Sequence, residues 1–181
     1  TTNNVYEDSL AKIDDVGEIT ISFNENIRTI STLLNDYEIA LSGNGQDYSY
    51  DYTFSDTNNN GTILLNMLAS DSAGNQSDTL IDRVYFDKIS PSVFNIYEGS
   101  LLSDMVYTKY ADSLQLAWSI IESGSGNKTA YIALGSDSGT VDILNWSPAS
   151  EITQSSLTSL SLNNNSKYFG AVWVEDNAGN K

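Results

Sequence analysis

Carboxylate and amide side chains are the groups of this sequence best suited to chemistry. The 181 residues include 24 Asp and Glu and 8 Lys and Arg, with neither Cys nor His. The chain therefore has no cysteine nucleophile, no histidine acid or base, and none of the Cys and His ligands typical of zinc sites. Its side-chain oxygens suit a hard cation such as Ca²⁺, which binds roughly six to eight oxygen ligands.

One stretch, Asp56–Gly61, has the spacing of the start of a calcium-binding loop. It places Asp, Asn and Asn at alternate positions and then a Gly, where such a loop turns sharply. The later position that should carry a bidentate acid is occupied by Met67 instead. The stretch is therefore predicted to be an Asn-rich β-turn rather than a calcium loop.

The same side chains do not make a convincing catalytic set. Glycoside hydrolysis needs two carboxyl groups ~5 Å or more apart in a cleft, one of them with a raised pKa. No acidic pair of the sequence falls in an aromatic-lined cluster of loops. Serine-based acyl transfer lacks the histidine that would activate it. We expect a protein that is not an enzyme.

The net charge of −16 limits the partners. It repels phosphate backbones and anionic membranes and concentrates cations. No stretch reaches the roughly 20 apolar residues of a membrane span. We expect no nucleic-acid partner and no membrane insertion. Abundant Asn, Ser, Thr and Tyr favour an extracellular protein, and a start at Thr1 rather than Met is typical of a processed or excised piece.

Alternating apolar residues predict β-strands along the whole chain. Only residues 28–36 fit a short helical turn or a loop equally well. The pattern Asp-x-Ala-Gly-Asn, typical of a tight turn, occurs at Asp71–Asn75 and Asp176–Asn180, about 105 residues or one β-sandwich module apart. Strands are predicted over residues 18–23, 48–54, 62–69, 80–86, 93–97, 114–118, 131–134, 141–146, 157–162 and 168–174.

The segment Asp87–Pro91 separates two domains. Proline stops ladder pairing and biases the residue before it towards extended backbone. We therefore place one β-sandwich at residues 1–89 and a second at residues 90–181, an all-β architecture of two tandem modules.

In the second half, Leu162 is followed six positions later by Tyr168. With this spacing the second half resembles fibronectin-type-III-like modules of large secreted bacterial proteins, whose tyrosine corner implies that the Tyr hydroxyl bonds back to the backbone. The family also has a further strand after residue 174, so the second sandwich is expected to lack its last strand. The other residues that carry the resemblance are Leu116–Ser119, Glu122–Gly126, Tyr131–Gly135 and Ile143–Ser147.

The first half contains Ile21–Glu25, Gly61 with the strand that follows, the Asp71–Asn75 turn and Asp87 ahead of Pro91. In these residues it resembles bacterial Ig-like modules of adhesins and repeat proteins. Modules of both families usually serve as spacers, presentation stalks or adhesive repeats. Neither resemblance implies an enzyme.

Sandwich topology suggests a second calcium hypothesis. The exit of the second strand and the last hairpin lie at the end where the chain enters, which would bring Glu122 and Asp176 to the linker residue Asp87. Glu25 and Asp71 hold the same positions in the first module. Converging carboxylates would need a counter-ion such as Ca²⁺. The alternative is that these acids cap turns and bond to backbone amides.

The sequence thus predicts a non-catalytic structural or adhesive segment of an extracellular bacterial protein. Its partners would be neighbouring modules of the same polypeptide, and a host or cell-surface protein or glycan. One alternative is a carbohydrate- or protein-binding module, in which Trp146 and Trp173 stack on a sugar ring. Another is a pair of accessory domains of a secreted hydrolase.

Overall fold

The fold consists of β-strands joined by turns. The computed structural model describes residues 2–5, 7, 9–99 and 104–181, with the backbone alone at 80–83. These residues contain no helix, and so none that could cross a membrane. The chain divides into two compact units, Thr1–Lys88 and Ile89–Lys181.

The described residues of the first unit form eight strands in two sheets. One sheet has the order β1-β8-β7-β3-β4 and the other the order β2-β6-β5. Its core joins both sheets, and the rings of Phe54 and Phe86 stack there with centroids 5.3 Å apart. The strands are β1 (Leu10–Ala11), β2 (Val16–Ser22), β3 (Ile27–Leu34), β4 (Tyr37–Ile39), β5 (Ser42–Asn44), β6 (Asp47–Thr53), β7 (Gly61–Asp71) and β8 (Gln76–Phe86).

In the second unit, the part of the chain that the structure describes forms six strands in two three-stranded sheets, ordered β13-β10-β9 and β12-β11-β14. Trp118 is fully buried between them, and its indole N–H donates to the carbonyl of Ile152 at 2.8 Å. Strand β14 pairs with β11 and stands at the edge of its sheet. The strands are β9 (Ser92–Glu98), β10 (Leu114–Ile121), β11 (Asn127–Gly135), β12 (Leu144–Pro148), β13 (Gln154–Leu157) and β14 (Phe169–Asp176).

The tyrosine corner predicted for the second half is confirmed. The hydroxyl oxygen of Tyr168 accepts the backbone N–H of Asn163 at 2.6 Å. Val174 belongs to the core of the second unit, and Tyr168 and Val172 pack against it.

Three predictions of secondary structure were wrong. Residues 28–36 are mostly strand β3, which turns into β4 through Asn35 and Asp36 at φ of 47° and 68°. Two consecutive left-handed residues match a two-residue hairpin turn. The strand predicted at 141–146 starts only at Leu144, because Asp142 holds a turn by accepting the N–H of Ser136 at 2.9 Å. The strand predicted at 157–162 ends at Leu157, since Ser159 is left-handed at φ 60°.

Candidate metal site

The two Asp-x-Ala-Gly-Asn segments fold into the same turn. In each, the Asp N–H donates to the Asn carbonyl at 3.1 Å. The Asn also donates two hydrogen bonds to the Asp carboxylate. In Asp71–Asn75 the backbone N–H donates at 2.9 Å and the side-chain amide at 2.6 Å. In Asp176–Asn180 both distances are 2.8 Å. Gly74 and Gly179 have φ of 91° and 94°, a region that favours Gly. Both aspartates therefore cap their own turns.

The surroundings of the first turn keep Asp71 ionised. The side-chain amide of Asn75 is the main cause that lowers the pKa of Asp71 below its ordinary value of 3.8. Desolvation opposes this effect, and backbone N–H groups of the turn support it. Such bonds favour the charged form of a carboxyl group.

Glu122 directly follows β10, and its two oxygens differ in their surroundings. Oε1 accepts the N–H of Gly124 at 2.6 Å and of Gly126 at 3.4 Å. Oε2 is buried and has no hydrogen-bond partner among the residues that the structure describes. A buried oxygen left in this state is destabilising unless something else satisfies it.

Hydrogen bonds between two loops bring Glu122 close to the second turn. The side-chain amide of Asn177 donates to the carbonyl of Ser125 at 2.8 Å, and the N–H of Ala178 donates to Ser125 Oγ at 3.0 Å. As a result, carboxylate oxygens of Glu122 and Asp176 lie within 4.8 Å of each other. Asp176 is fully buried.

The electrostatics of this pair favour a cation. At that separation two full negative charges repel each other by on the order of 3 kcal/mol in a typical protein environment. Oε2 of Glu122, which has no hydrogen-bond partner among the described residues, leaves capacity for a metal ion. Oxygens close together, one of them unsatisfied, fit Ca²⁺ better than a softer metal.

Asp87 is fully buried at the end of the first unit, directly after β8. Its N–H donates to the carbonyl of Ala11 at 2.8 Å, and its Oδ1 accepts the side-chain amide of Asn60 at 3.2 Å. The Oδ1 of Asn60 also accepts the N–H of Lys88 at 2.9 Å. The Asn60 side chain thus holds both the Asp87 carboxylate and the backbone of Lys88 in place.

The Asp56–Gly61 stretch is a turn, as predicted, and its side chains make local contacts. Oδ1 of Asn58 accepts the N–H of Ser55 at 2.7 Å, and Lys88 pairs with Asp56 at 3.3 Å. These contacts fasten the turn to the end of β8, which explains its amide-rich composition.

Glu25 and Asp71, the candidate ligands of the first unit, differ from Glu122 and Asp176 in their exposure and contacts. Glu25 is exposed, whereas Asp71 is buried and bonded to Asn75. Within the part of the chain that the structure describes, no group of three acidic side chains forms around Asp71.

The aromatic side chains proposed to bind a sugar pack against their own chain. The rings of Trp173 and Tyr131 stack at 4.0 Å, and Lys181 Nζ lies 5.1 Å from the centre of the Trp173 ring. Trp146 touches Trp173 edge-on and remains 42% exposed. A ligand could therefore stack on Trp146 more readily than on Trp173.

Comparisons with known proteins bear on the fold. No family model matches the chain, and no curated protein matches it. Domains A168–A170 of titin superpose with a TM-score of 0.62 at 13% identity, covering 95% of this chain and 57% of that structure. The FN1–FN3 domains of chicken CNTN1 give a TM-score of 0.37 at 13% identity, covering 94% and 64%. The titin likeness shows that this chain has the fold of tandem Ig and fibronectin-type-III β-sandwiches.

Proposed function

We propose that this chain is a non-catalytic structural or adhesive segment, a pair of spacer or stalk modules, of an extracellular bacterial surface or secreted protein. The observation that carries the proposal is the tandem Ig/fibronectin-type-III β-sandwich fold, whose domains commonly have structural or adhesive roles. The acidic composition, rich in Asn, Ser, Thr and Tyr and poor in Lys and Arg, supports an extracellular location, and a sequence with neither Cys nor His supplies neither a cysteine nucleophile nor a histidine base.

The side chains capable of chemistry support the same conclusion. Asp71 and Asp176 cap turns, Asp142 holds the β11–β12 loop, and Trp118 fills a core. Each is used to fix the shape of a sandwich. Partners in this role are neighbouring modules of the same polypeptide, together with a cell-surface protein or glycan.

The location can be tested with antibodies raised against this chain. In intact cells of the source organism the epitope should be accessible from outside, or present in the culture medium, and external protease should remove it. An epitope that becomes accessible only after lysis would contradict the proposal. A cytoplasmic protein of the same cells serves as the control for leakage.

We also propose one Ca²⁺ ion bound by Glu122, Asp176 and Asp87. Support comes from the short distance between the first two carboxylates, the unsatisfied Oε2 of Glu122 and the burial of both aspartates. Asp87 precedes Ile89, where the second unit starts, by two residues, and Asn60 fixes its carboxylate. An ion held in this way would stiffen the connection between modules.

Binding of a carbohydrate or protein by the second unit is the second candidate function. The exposed ring of Trp146 beside Trp173 favours it, because such a ring can stack on a sugar. A glycan array probed with the native chain and with Trp146→Ala tests it. Binding lost in the variant would support this function, and the same signal from both proteins would contradict it. The role of accessory domains in a secreted hydrolase is tested by the full-length sequence.

A further inference from the structure

Strand β14 has an open edge, the side that faces away from β11. Among the described residues no strand pairs with this side. The N–H of Gly170 hydrogen-bonds to the carboxylate of Glu98, and the N–H of Asp176 bonds within the turn that follows, so both point to the open edge. Backbone groups of alternate residues in a strand point to the same side. Those of Val172 and Val174 therefore face the open edge as well.

Apolar side chains lie beside the open edge. Strand β9 contacts β14 on this side of the sandwich. Val172 on β14 and Val93 and Ile96 on β9 pack against the core and are half-buried. A strand edge of this length with apolar side chains beside it is a template for a further strand.

The turn after β14 indicates where such a strand would come from. In the first unit the same Asp-x-Ala-Gly-Asn turn leads into β8, which runs antiparallel to β7 with Gln76 opposite Ser70. Lys181 holds the position of Gln76 in the second turn. Its Nζ lies 3.5 Å from the carboxylate of Glu175 and 5.1 Å from the centre of the Trp173 ring, both on β14. The chain has therefore turned back along β14 at Lys181.

We propose that the open edge of β14 takes up a short antiparallel strand, and that this strand is joined to Lys181 rather than supplied by another molecule. The turn selects this source, because a separate strand would meet the Lys181 backbone where the pairing begins. The register seen in the first unit places the first residue of the strand opposite Val174 and the third opposite Val172. These two side chains would face the core and should be apolar, while the second and fourth face outward.

A strand in this place would give the second unit an entry and an exit at opposite ends. Strand β9 begins at Ser92, opposite Ile121. Glu122 follows Ile121 and lies close to Asp176. The added strand would run from the Asp176 end towards Gly170, at the other end of the sandwich. This is the path that the proposed spacer function requires. Strand addition depends neither on calcium nor on an extracellular location, so its failure would leave that function standing.

Two extensions of the native chain test the proposal. One adds Val-Thr-Val-Thr after Lys181, and the other adds Thr-Val-Thr-Val, which has the same composition in the opposite register. A slip of one residue turns every side chain to the other face, so only the first extension places its valines on the core. With the first extension, the N–H groups of Val172 and Val174 should exchange with solvent about tenfold more slowly than in the native chain, as measured by NMR. The second extension should give little gain. The N–H groups of Ala171 and Trp173, which pair with β11, are the internal control and should exchange alike in all three proteins.

A free peptide distinguishes the two sources of the strand. Acetylated and amidated Val-Thr-Val-Thr, added well below the roughly millimolar effective concentration of a joined segment, should leave the exchange of Val172 and Val174 unchanged. Equal protection by peptide and extension would show that another molecule supplies the strand and would overturn the proposal. An extension that protects neither N–H group, or two extensions that protect both alike, would also overturn it. Thermal melting confirms that each protein is folded.

Discussion

Asn180 donates two hydrogen bonds to Asp176, from its N–H to Oδ1 at 2.8 Å and from its side-chain amide to Oδ2 at 2.8 Å. The pair closes the turn after β14 and fixes both carboxylate oxygens. Asn75 does the same for Asp71 after β7. The two turns differ in their neighbours. Among the described residues, the carboxylate of Glu122 lies close to Asp176, and no group of three acidic side chains includes Asp71. One motif thus serves as a turn cap in both units and as a candidate ligand in one.

Removal of the capping amide should destabilise the first unit. Asn75→Ala deletes the side-chain bond to the Asp71 carboxylate, and we expect the midpoint of urea unfolding to fall, because a hydrogen bond to a charged group is lost. Urea denaturation followed by circular dichroism measures the change. Asn59→Ala, in the exposed 56–60 turn, is the matched control and should leave the midpoint where it is. Equal midpoints for all three proteins would contradict the role of the cap.

The same cap predicts a dependence on pH. The pKa of Asp71 is lower in the folded chain than its ordinary value of 3.8, chiefly because of the Asn75 amide. A lowered acid pKa contributes stability above the unfolded pKa, and this is lost as the pH falls through the folded one. The stability difference between native protein and Asn75→Ala should therefore be constant near neutrality and shrink below pH 3.8. A difference unchanged down to pH 2 would contradict it.

Glu98 should behave in the opposite way. Burial is the main cause that raises its pKa above 4.5, and hydrogen bonding with Asp104 adds to it. A raised acid pKa means that stability is complete below the unfolded value and is lost as the pH rises through the folded one. Glu98→Gln should therefore melt at a higher temperature than native protein at pH 7, and this gain should vanish below pH 4.5. Glu151→Gln, at an exposed position, is the control.

Strands were predictable where one face is buried. In β2 apolar residues alternate with polar ones, so the period of two was visible, whereas β7 was predicted from its apolar run and the turn that follows it. The same reasoning failed at β3, where Thr32, Leu33 and Leu34 follow one another without alternation. The Asn35–Asp36 turn was the signal that could have identified the hairpin.

Sandwich topology predicted that Glu122 and Asp176 lie near each other, and their carboxylate oxygens are within 4.8 Å. The contacts that hold these side chains in place were not predictable from the sequence. The bonds of Asn177 to Ser125 and of Asn60 to Asp87 join residues 52 and 27 positions apart. Such contacts arise from tertiary packing, and an Asn within a loop gives no local indication of its distant partner.

Calcium should stabilise the native chain through Glu122. If the ion binds the folded state alone, a concentration of 100 times Kd adds about 2.7 kcal/mol, which raises Tm by several degrees for a domain of this size. Differential scanning calorimetry with EDTA and then with added CaCl₂ measures the shift. Glu122→Gln removes the charge beside Asp176 and should abolish the shift, whereas Glu151→Gln should retain it. Identical melting of the native chain with EDTA and with calcium would rule out the site. A shift that persists in Glu122→Gln would show that the ion binds elsewhere.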